Sequence, residues 1–338
     1  MNALTDSPLI YAVIFVILLV AELLYFKIAD RYNIIDRPNE RSSHTRITLR
    51  GGGVVIFAGA WIWAAFYGIK GHEVFLAALT IIATVSFLDD IGEVRYRLRL
   101  FLHLCAMLML FWTWGFLTVD NWTQLFVGVI VAAGIINAFN FMDGINGITG
   151  AYSLSVLLPL YLLNERIQFV PDSLIYVTAI AVVVFLIFNF RKRARCFCGD
   201  VGAVSIAFIL VYLIGSLIVR TGDLSYIVLL AVYGVDTVLT IIHRLALHEF
   251  IFYPHRKHAY QLMANELKIP HLVVSTFYMV LQLIISLVLV YLPTRHYYYA
   301  AIVVVLLGVA YLMFMKKYYH LHEEYLKSLE EKQNAEEK

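Results

Sequence analysis

The stretch PLIYAVIFVILLVAELLYFKI, residues 8–28, contains only two charged side chains, Glu22 and Lys27. An apolar run of this length is long enough to cross the ~30 Å hydrocarbon core of a bilayer as one helix. No positively charged segment precedes the run, and many further apolar runs follow it. We therefore expect a retained membrane-spanning helix rather than a removable signal peptide.

The composition of the whole chain also indicates a membrane protein. Of its 338 residues, 61% are hydrophobic and 15% are charged, and the mean hydropathy is +0.78. Soluble domains carry roughly 25% charged residues, so the solvent of this chain is mostly lipid. A net charge of +2 leaves no large basic face, and we expect no nucleic-acid partner. Three cysteines are too few for a disulfide scaffold and lack the second pair of a zinc site.

Apolar segments of about 17–25 residues recur along the chain. They predict eleven membrane helices, near residues 8–28, 53–69, 74–92, 98–117, 123–140, 148–164, 174–190, 203–219, 224–243, 271–292 and 298–315. The predicted fold class is an all-α polytopic membrane protein. It has a single membrane domain over residues 1–315 and a charged tail over residues 316–338, which we expect to be an exposed helix that frays.

The distribution of Lys and Arg orients the chain, because these residues are concentrated in cytoplasmic loops. With the N-terminus outside and eleven helices, 22 of the 26 Lys and Arg residues fall on the inner side and 4 on the outer side. One missed helix would invert every later loop, so this bias supports both the helix count and the orientation. The C-terminus is then cytoplasmic.

Four polar clusters fall in inner loops under this topology. The first is Asp89-Asp90, at the inner end of the third predicted helix. Two adjacent carboxylates at a membrane boundary are costly and favour a cation or a proton. Mg²⁺ is the natural partner where such a pair acts on phosphates. A solvated helix end is the alternative for an isolated Asp-Asp.

The second cluster runs to Gly150 and sets Asn137, Asn140, Asp143 and Asn146 among hydrophobic residues. If a helix continues through it, Asn140 and Asp143 lie on one face. Helix packing through small residues would explain the glycines, but it does not explain the amides and the carboxylate.

The third cluster joins the basic run of residues 191–195 to Gly199-Asp200-Val-Gly202. The basic run is most simply a positive-inside anchor. Asp200 lies near the start of a predicted helix, where an anion is stabilised, and it could hold a metal there.

The fourth cluster contains His255, Arg256 and His258. Arginine supplies forked donors and histidine a tunable proton, a combination that suits a diphosphate. A surface loop with spare histidines is the alternative, and a zinc site is a weaker one because no cysteine is near. Upstream, His44 and the Arg50-Gly-Gly-Gly run have the composition of a phosphate-binding loop.

Taken in order, these motifs resemble the polyprenyl-phosphate N-acetylhexosamine-1-phosphate transferases. These bacterial membrane enzymes start O-antigen, common antigen and teichoic acid linkage-unit synthesis, and phospho-muramoyl-pentapeptide transferase is a more distant relative. The matching pieces are Asp36-x-Pro with Arg41-x-x-His44 and Arg50-Gly-Gly-Gly, Phe87-Leu-Asp89-Asp90, Asn137-x-x-Asn140-Phe-Met-Asp143-Gly, Gly199-Asp200-Val-Gly and His255-Arg-x-His258.

The resemblance implies a reaction in which N-acetylhexosamine-1-phosphate passes from a UDP-sugar to undecaprenyl phosphate, with release of UMP. It implies Mg²⁺ as cofactor, with Mn²⁺ as a substitute. It also implies the bacterial inner membrane as the location, with a cytoplasmic active site. We add a homodimer as an assembly to be tested. By resemblance, the catalytic residues are Asp89, Asp90, Asp143 and Asp200, with Asp200 and Asp90 as metal ligands. The implied substrate-binding residues are His44, Arg50, Asn137, Asn140, Asn146, His255, Arg256 and His258.

The chain departs from the family pattern at Asn146, where many members carry Asp, and in the arginine-rich stretch from Arg95, where a Lys often follows the Asp pair. A membrane transporter of an anionic substrate is the main alternative function, but it would place charges along a path through the membrane. A prenyltransferase would need spaced Asp-rich motifs. A scaffolding protein gives no reason for four polar clusters on one side.

Overall fold

The structure is a computed structural model that describes residues 7–38, 43, 46–92, 94–250, 255–292 and 296–336. Its described part is built from α-helices with one two-stranded hairpin. The helices are α1 (Pro8–Arg31), α2 (Val54–Tyr67), α3 (Glu73–Ile91), α4 (Tyr96–Thr113), α5 (Trp122–Met142), α6 (Ile148–Ile167), α7 (Asp172–Asn189), α8 (Gly199–Thr221), α9 (Ala231–Ala246), α10 (Ala259–Gln261), α11 (His271–Tyr291) and α12 (His296–Glu336). The strands are β1 (Ile35–Asp36) and β2 (Thr48–Leu49).

Each of the eleven predicted apolar segments coincides with a described helix. Eight helical stretches in the described ranges are long and apolar enough to cross a membrane: α1, α3, α5, α7, α8, α9, α11 and α12, with α5 and α9 each extended by a preceding 3₁₀ turn. α2 is apolar but has only 14 residues, a length of about 21 Å. The prediction of an all-α polytopic membrane protein is confirmed, while the count of eleven spans and their orientation stay predictions.

α8 is the central helix of the bundle, and 83% of its most apolar window is buried. It carries no charged side chain between Asp200 and Arg220, as expected of a helix that is surrounded by others. α2, α3, α5 and α6 all pack against it. The N-terminus of α8 is therefore held in the middle of one end of the bundle.

The hairpin brings the glycine run to that end of α8. β1 and β2 pair antiparallel, with Ile35 opposite Leu49. The chain after β2 then lies along the segment before α8, where the Gly53 amide donates to the Cys198 carbonyl at 3.0 Å. A Cβ on Gly53 would lie 2.4 Å from the Cα of Gly202, so the two backbones touch only because both residues are glycines.

The C-terminal helix α12 continues without a break from His296 to Glu336. It crosses the predicted boundary at residue 316 as a single helix of 41 residues. His322 within it is only 1% exposed. The tail is helical, as predicted, and His322 packs it against the loop that precedes α11, while the division into a membrane domain and a tail at residue 316 stays a prediction.

Candidate active site

A cavity of about 250 Å³ lies beside the N-terminus of α8. Its lining comes from four distant parts of the sequence: Arg50 after the hairpin, Asn140 and Asp143 at the end of α5, Asp200 in the first turn of α8, and Gln261 at the end of α10. The structure thus brings together residues of the second and third predicted clusters and Arg50 of the upstream glycine-run segment. These residues carry both negative and positive charge into one polar space.

Asp90 holds the start of α8 in place. Its Oδ1 accepts hydrogen bonds from Arg50 Nε at 2.7 Å and from the Asp200 amide at 2.9 Å, and its Oδ2 accepts from the Val201 amide at 2.9 Å. The side chain is fully buried. A carboxylate at a helix N-terminus binds the unpaired amides and the positive end of the helix dipole. Both oxygens of Asp90 are engaged in this way, so the geometry gives its predicted metal role no support.

Gly199 makes this contact possible. Its φ of +71° is one that side-chain-bearing residues rarely adopt, and a Cβ there would lie 2.6 Å from Asp90 Oδ2. Glycine is therefore required for both the turn and the close approach of the carboxylate.

Two arginines link the remaining carboxylates on this side of the cavity. Arg99 pairs with Asp89 and lies 3.8 Å from Asp200 Oδ2, while an Arg50 terminal nitrogen lies 3.3 Å from Asp200 Oδ1. The Asp89 carboxylate also accepts the Val94 amide at 3.0 Å. Of the three Asp side chains in this network, Asp200 is the one that lines the cavity. Its carboxylate lies between two guanidinium groups that can also turn toward a phosphate.

Asp143 lies just beyond α5 and faces the same cavity as Asp200. Its Oδ1 accepts a hydrogen bond from the Thr149 hydroxyl at 2.6 Å. Burial raises the pKa of Asp143 to about 7, and the negative charges of Asp200 and Asp90 add to this effect. The Asp143 carboxyl group therefore keeps its proton to a higher pH than a free aspartate does, chiefly because it is removed from water.

The three asparagines of the second cluster take different positions relative to the cavity. Asn140 and Asn146 line the cavity. The Asn146 Nδ2 donates to the Arg191 carbonyl at 2.8 Å, which fastens the second cluster to the basic run. Asn137 is exposed, and its Nδ2 donates to the Ala133 carbonyl at 2.9 Å. The structure does not bring Asn137 into the cavity, because its side chain turns back toward the preceding turn of its own helix.

The three predicted residues of the fourth cluster lie behind the cavity wall rather than in it. His258 is buried, with Nδ1 3.2 Å from Asp236 Oδ1, and Arg256 pairs with Glu266 at 2.9 Å. Burial lowers the pKa of His255 to about 3, and His258 adds to the effect. His255 is therefore neutral at physiological pH, and the predicted grip of these side chains on a diphosphate has no support in this geometry.

Several lining residues had no predicted role, namely Asp36, Ser43, Asn189, Gln261 and His271. Asp36 belongs to the quoted Asp36-x-Pro motif, so the signal for it was present, and Gln261 lies three residues after the quoted His255-Arg-x-His258 motif. Asn189 accepts the Gly147 amide at 2.7 Å and donates to the Cys196 carbonyl at 2.8 Å, a pairing that no local pattern reveals. His44 lies outside the described residues.

The segment that carries most of these residues is similar to a known protein family. Residues 72–218 match glycosyl transferase family 4. The matched segment contains Asp89, Asp90, Asn140, Asp143 and Asp200, which are most of the carboxylates and amides around the cavity. The matched range includes the end of α3, the end of α5 and the start of α8.

Individual relatives extend the similarity beyond that segment. The probable undecaprenyl-phosphate N-acetylglucosaminyl 1-phosphate transferase of Bacillus subtilis is 27% identical over 261 residues, covering 70% of this chain and 72% of the relative. The undecaprenyl-phosphate alpha-N-acetylglucosaminyl 1-phosphate transferase of Thermotoga maritima is 27% identical over 248 residues, covering 71% and 76%. The phospho-N-acetylmuramoyl-pentapeptide-transferase of Thermotoga maritima is 28% identical over 192 residues, covering 51% and 61%. The predicted resemblance is confirmed, and so is the prediction of a glycosyl-1-phosphate transferase enzyme.

Proposed function

We propose that this chain transfers N-acetylhexosamine-1-phosphate from a UDP-sugar to undecaprenyl phosphate, at the cytoplasmic face of a bacterial plasma membrane. The observation that carries the proposal is the convergence of Asp143, Asp200 and Arg50 on one cavity at the end of an apolar helix bundle. A phosphate-handling site in that position can receive one substrate from water and the other from lipid. N-acetylglucosamine is the sugar named for two of the relatives, so UDP-N-acetylglucosamine is the first donor to test.

An apolar groove supports the lipid acceptor. It has a volume of about 490 Å³ and lies between α5, α9 and α12, with Ala138 and Phe139 of α5 in its lining. These two residues immediately precede Asn140, which lines the polar cavity. An isoprenoid chain in the groove would therefore end about one helical turn from Asp143. The phosphate at the end of such a lipid could then enter the polar cavity.

The donor set suits Mg²⁺ bound together with substrate. Within the described ranges, no group of three or more His, Cys, Asp or Glu side chains is arranged to hold a metal by itself. Mg²⁺ needs no such group, since it keeps several waters and takes one or two carboxylates along with substrate phosphates. Asp200 and Asp143 would hold it, and a bound cation would offset the burial and the neighbouring negative charges that raise the pKa of Asp143. When bound, the ion would neutralise charge on the diphosphate oxygens.

The chemistry proposed is a displacement at phosphorus. An oxygen of the lipid phosphate forms a bond to the β-phosphorus of the UDP-sugar, the bond from that phosphorus to the bridging oxygen breaks, and UMP leaves with the bond electrons. Such a reaction depends on positioning and on stabilising charge. Arg50, fixed by Asp90 at 2.7 Å, presents a guanidinium to the cavity. Arg99, fixed by Asp89, supplies a second one near Asp200.

The test is a UMP-release assay on the purified protein. Undecaprenyl phosphate and a panel of UDP-N-acetylhexosamines are supplied with Mg²⁺ or with EDTA. We expect release that needs both the metal and the lipid phosphate. Asp200→Asn should lower kcat by about a hundredfold or more, the scale of one lost group that stabilises transition-state charge. The matched control is Asp120→Asn, which changes an exposed carboxylate on a 3₁₀ turn and should leave turnover unchanged.

Two results would contradict the proposal. Asp200→Asn with near-wild-type turnover would remove this residue from the reaction. Vesicles that take up labelled UDP-sugar without releasing UMP would instead support a transporter.

A further inference from the structure

The part of α12 beyond residue 315, which we call the α12 extension, is joined to the loop before α11 by charged and aromatic side chains. Glu266 Oε1 lies 2.9 Å from an Arg256 terminal nitrogen and 3.0 Å from His322 Nδ1. The Arg256 guanidinium also lies over the ring of Tyr325, 4.2 Å from its centroid. Two residues of the extension thus hold two residues of the loop.

Apolar contacts extend this junction along the helix. Ala259 and Leu262 of the loop pack with Tyr311 and Met315 in a small cluster of buried residues that is separate from the main core. From Tyr311 to Tyr325 the helix advances about 21 Å, so the contact covers roughly four turns. A junction of this length, with both buried apolar groups and paired charges, is an extended packed interface rather than an isolated surface contact.

The same loop forms one wall of the candidate active site. The Tyr260 hydroxyl donates to the Phe141 carbonyl at 2.8 Å. It also lies against Gly144, where a Cβ would be 2.2 Å from that oxygen. The next residue, Gln261, lines the cavity itself. Any shift of this loop would therefore move the cavity wall opposite Asp143.

The loop needs support from outside. Between the end of α9 at Ala246 and the start of α11 at His271, the regular structure that is described consists of the short α10 and the π-helical turn Leu262–Glu266. A long connection with so little internal structure carries a large conformational entropy. Single-turn π-helical segments are rare and are frequently found at functional sites. Asp236, which accepts from the Ala259 amide and lies 3.2 Å from His258, anchors the start of this segment, and the contacts with α12 anchor its end at Glu266.

We propose that the α12 extension is a positioning strut for the active site. Through Glu266 and Arg256, the residues His322 and Tyr325 hold the Tyr260–Gln261 wall against the end of α5, and so set how tightly the cavity binds its sugar nucleotide. No described residue of α12 lines the cavity, so the helix acts through the loop. This inference assigns Arg256 to positioning, and its kinetic part rests on the proposed function.

The kinetic test uses Tyr325→Ala and His322→Ala. We expect the KM for the UDP-sugar to rise about tenfold, within the range of couplings transmitted through packed networks, while kcat changes little because Asp200, Asp143 and Arg50 stay in place. Tyr325→Phe keeps the ring and His322→Asn keeps a nitrogen donor near the Nδ1 position, so both should restore the wild-type KM.

Matched controls come from the same helix. Tyr318→Ala removes a ring that contacts Phe314 and Lys317, and His320→Ala removes an exposed imidazole. Both should leave the KM unchanged. An unchanged KM in the test variants, or an equal rise in the controls, would overturn the kinetic part.

Hydrogen–deuterium exchange tests the strut without any activity. Amides of residues 255–266 should exchange faster in Tyr325→Ala than in the wild type or in Tyr318→Ala, while amides of α8 stay unchanged. Equal exchange in all three proteins would overturn the strut. If the wild type releases no UMP with any donor but exchange in the loop is faster in Tyr325→Ala, the proposed function fails and the strut stands.

Discussion

Replacing Asp90 by asparagine should damage the site more than the same change at Asp89, although the two residues are adjacent. Asp90 is fully buried and its two oxygens accept three hydrogen bonds, two of them from amides in the first turn of α8. Asp89 is 15% exposed and lies at the edge of the network with Arg99.

The size of the effect follows from the change in hydrogen bonding. In Asp90→Asn one oxygen becomes an NH₂ group, which faces either the Val201 amide or the side of Arg50. One charge-assisted hydrogen bond worth about 1.5–3 kcal/mol is lost, and a buried N–H left without an acceptor costs about 1–3 kcal/mol more. We expect the free energy of unfolding to fall by about 3–5 kcal/mol. Asp89→Asn should cost about 1 kcal/mol or less, because its ion pair is partly exposed.

Two measurements on detergent-purified variants check this prediction. Thermal unfolding followed by tryptophan fluorescence should place Asp90→Asn well below the wild type and Asp89→Asn close to it. UMP release should be lost in Asp90→Asn, since both Arg50 and the first turn of α8 lose their anchor. Equal unfolding temperatures for the two variants, or an Asp90→Asn protein that turns over normally, would refute the role of Asp90 as the anchor of α8.

Three further predictions concern single residues around the same cavity. Asn146→Asp loses a buried side-chain donor that binds the Arg191 carbonyl at 2.8 Å, and the new carboxylate faces that carbonyl oxygen, so stability should fall by about 2 kcal/mol; an unchanged unfolding temperature would contradict this. Gly53→Ala would place a Cβ 2.4 Å from the Cα of Gly202, whereas Gly134→Ala meets nothing within 4 Å. Only the first should lower the thermal unfolding temperature, by overpacking worth about 1–3 kcal/mol. Because the pKa of Asp143 is raised to about 7, the stability that this group gives the metal-free protein is lost as pH rises through about 7. Mg²⁺ should therefore bind more tightly at pH 8 than at pH 6, and calorimetric titration of Asp143→Asn should show a flatter dependence.

The membrane helices could be predicted from the sequence because lipid imposes a simple rule. A helix that crosses it must be apolar over about 20 residues, and all eleven apolar segments are helices in the structure. The short α10 and the π-helical turn after it could not be predicted in this way, since three and five residues carry no periodic signal. Their shape depends on contacts with α12, far along the chain.

The candidate site was only partly predictable, for a different reason. A motif shows that a carboxylate is present but not which way it faces. Asp143 and Asp200 line the cavity as expected, whereas Asp90 is turned toward amides that lie 110 and 111 residues away in the sequence. The sequence predicts Arg256 as a phosphate ligand, whereas in the structure its guanidinium pairs with the Glu266 carboxylate. Hydrogen bonds between distant segments decide these roles, and no local spacing encodes them.

The bond between Asp90 and the first turn of α8 also sets an order of events during synthesis. Asp90 leaves the ribosome 110 residues before its partner amide at Asp200. At about 5–20 residues per second, it waits on the order of 10 s in the growing chain without the amides of α8, and Arg50, already synthesised, is the one partner of its carboxylate named above that is present. Arg50 waits longer, since 150 residues separate it from Asp200. The catalytic end of the bundle therefore closes only when α8 inserts between helices that are already in the membrane. A nascent chain that stops before residue 199 carries α1 to α7 but no assembled site.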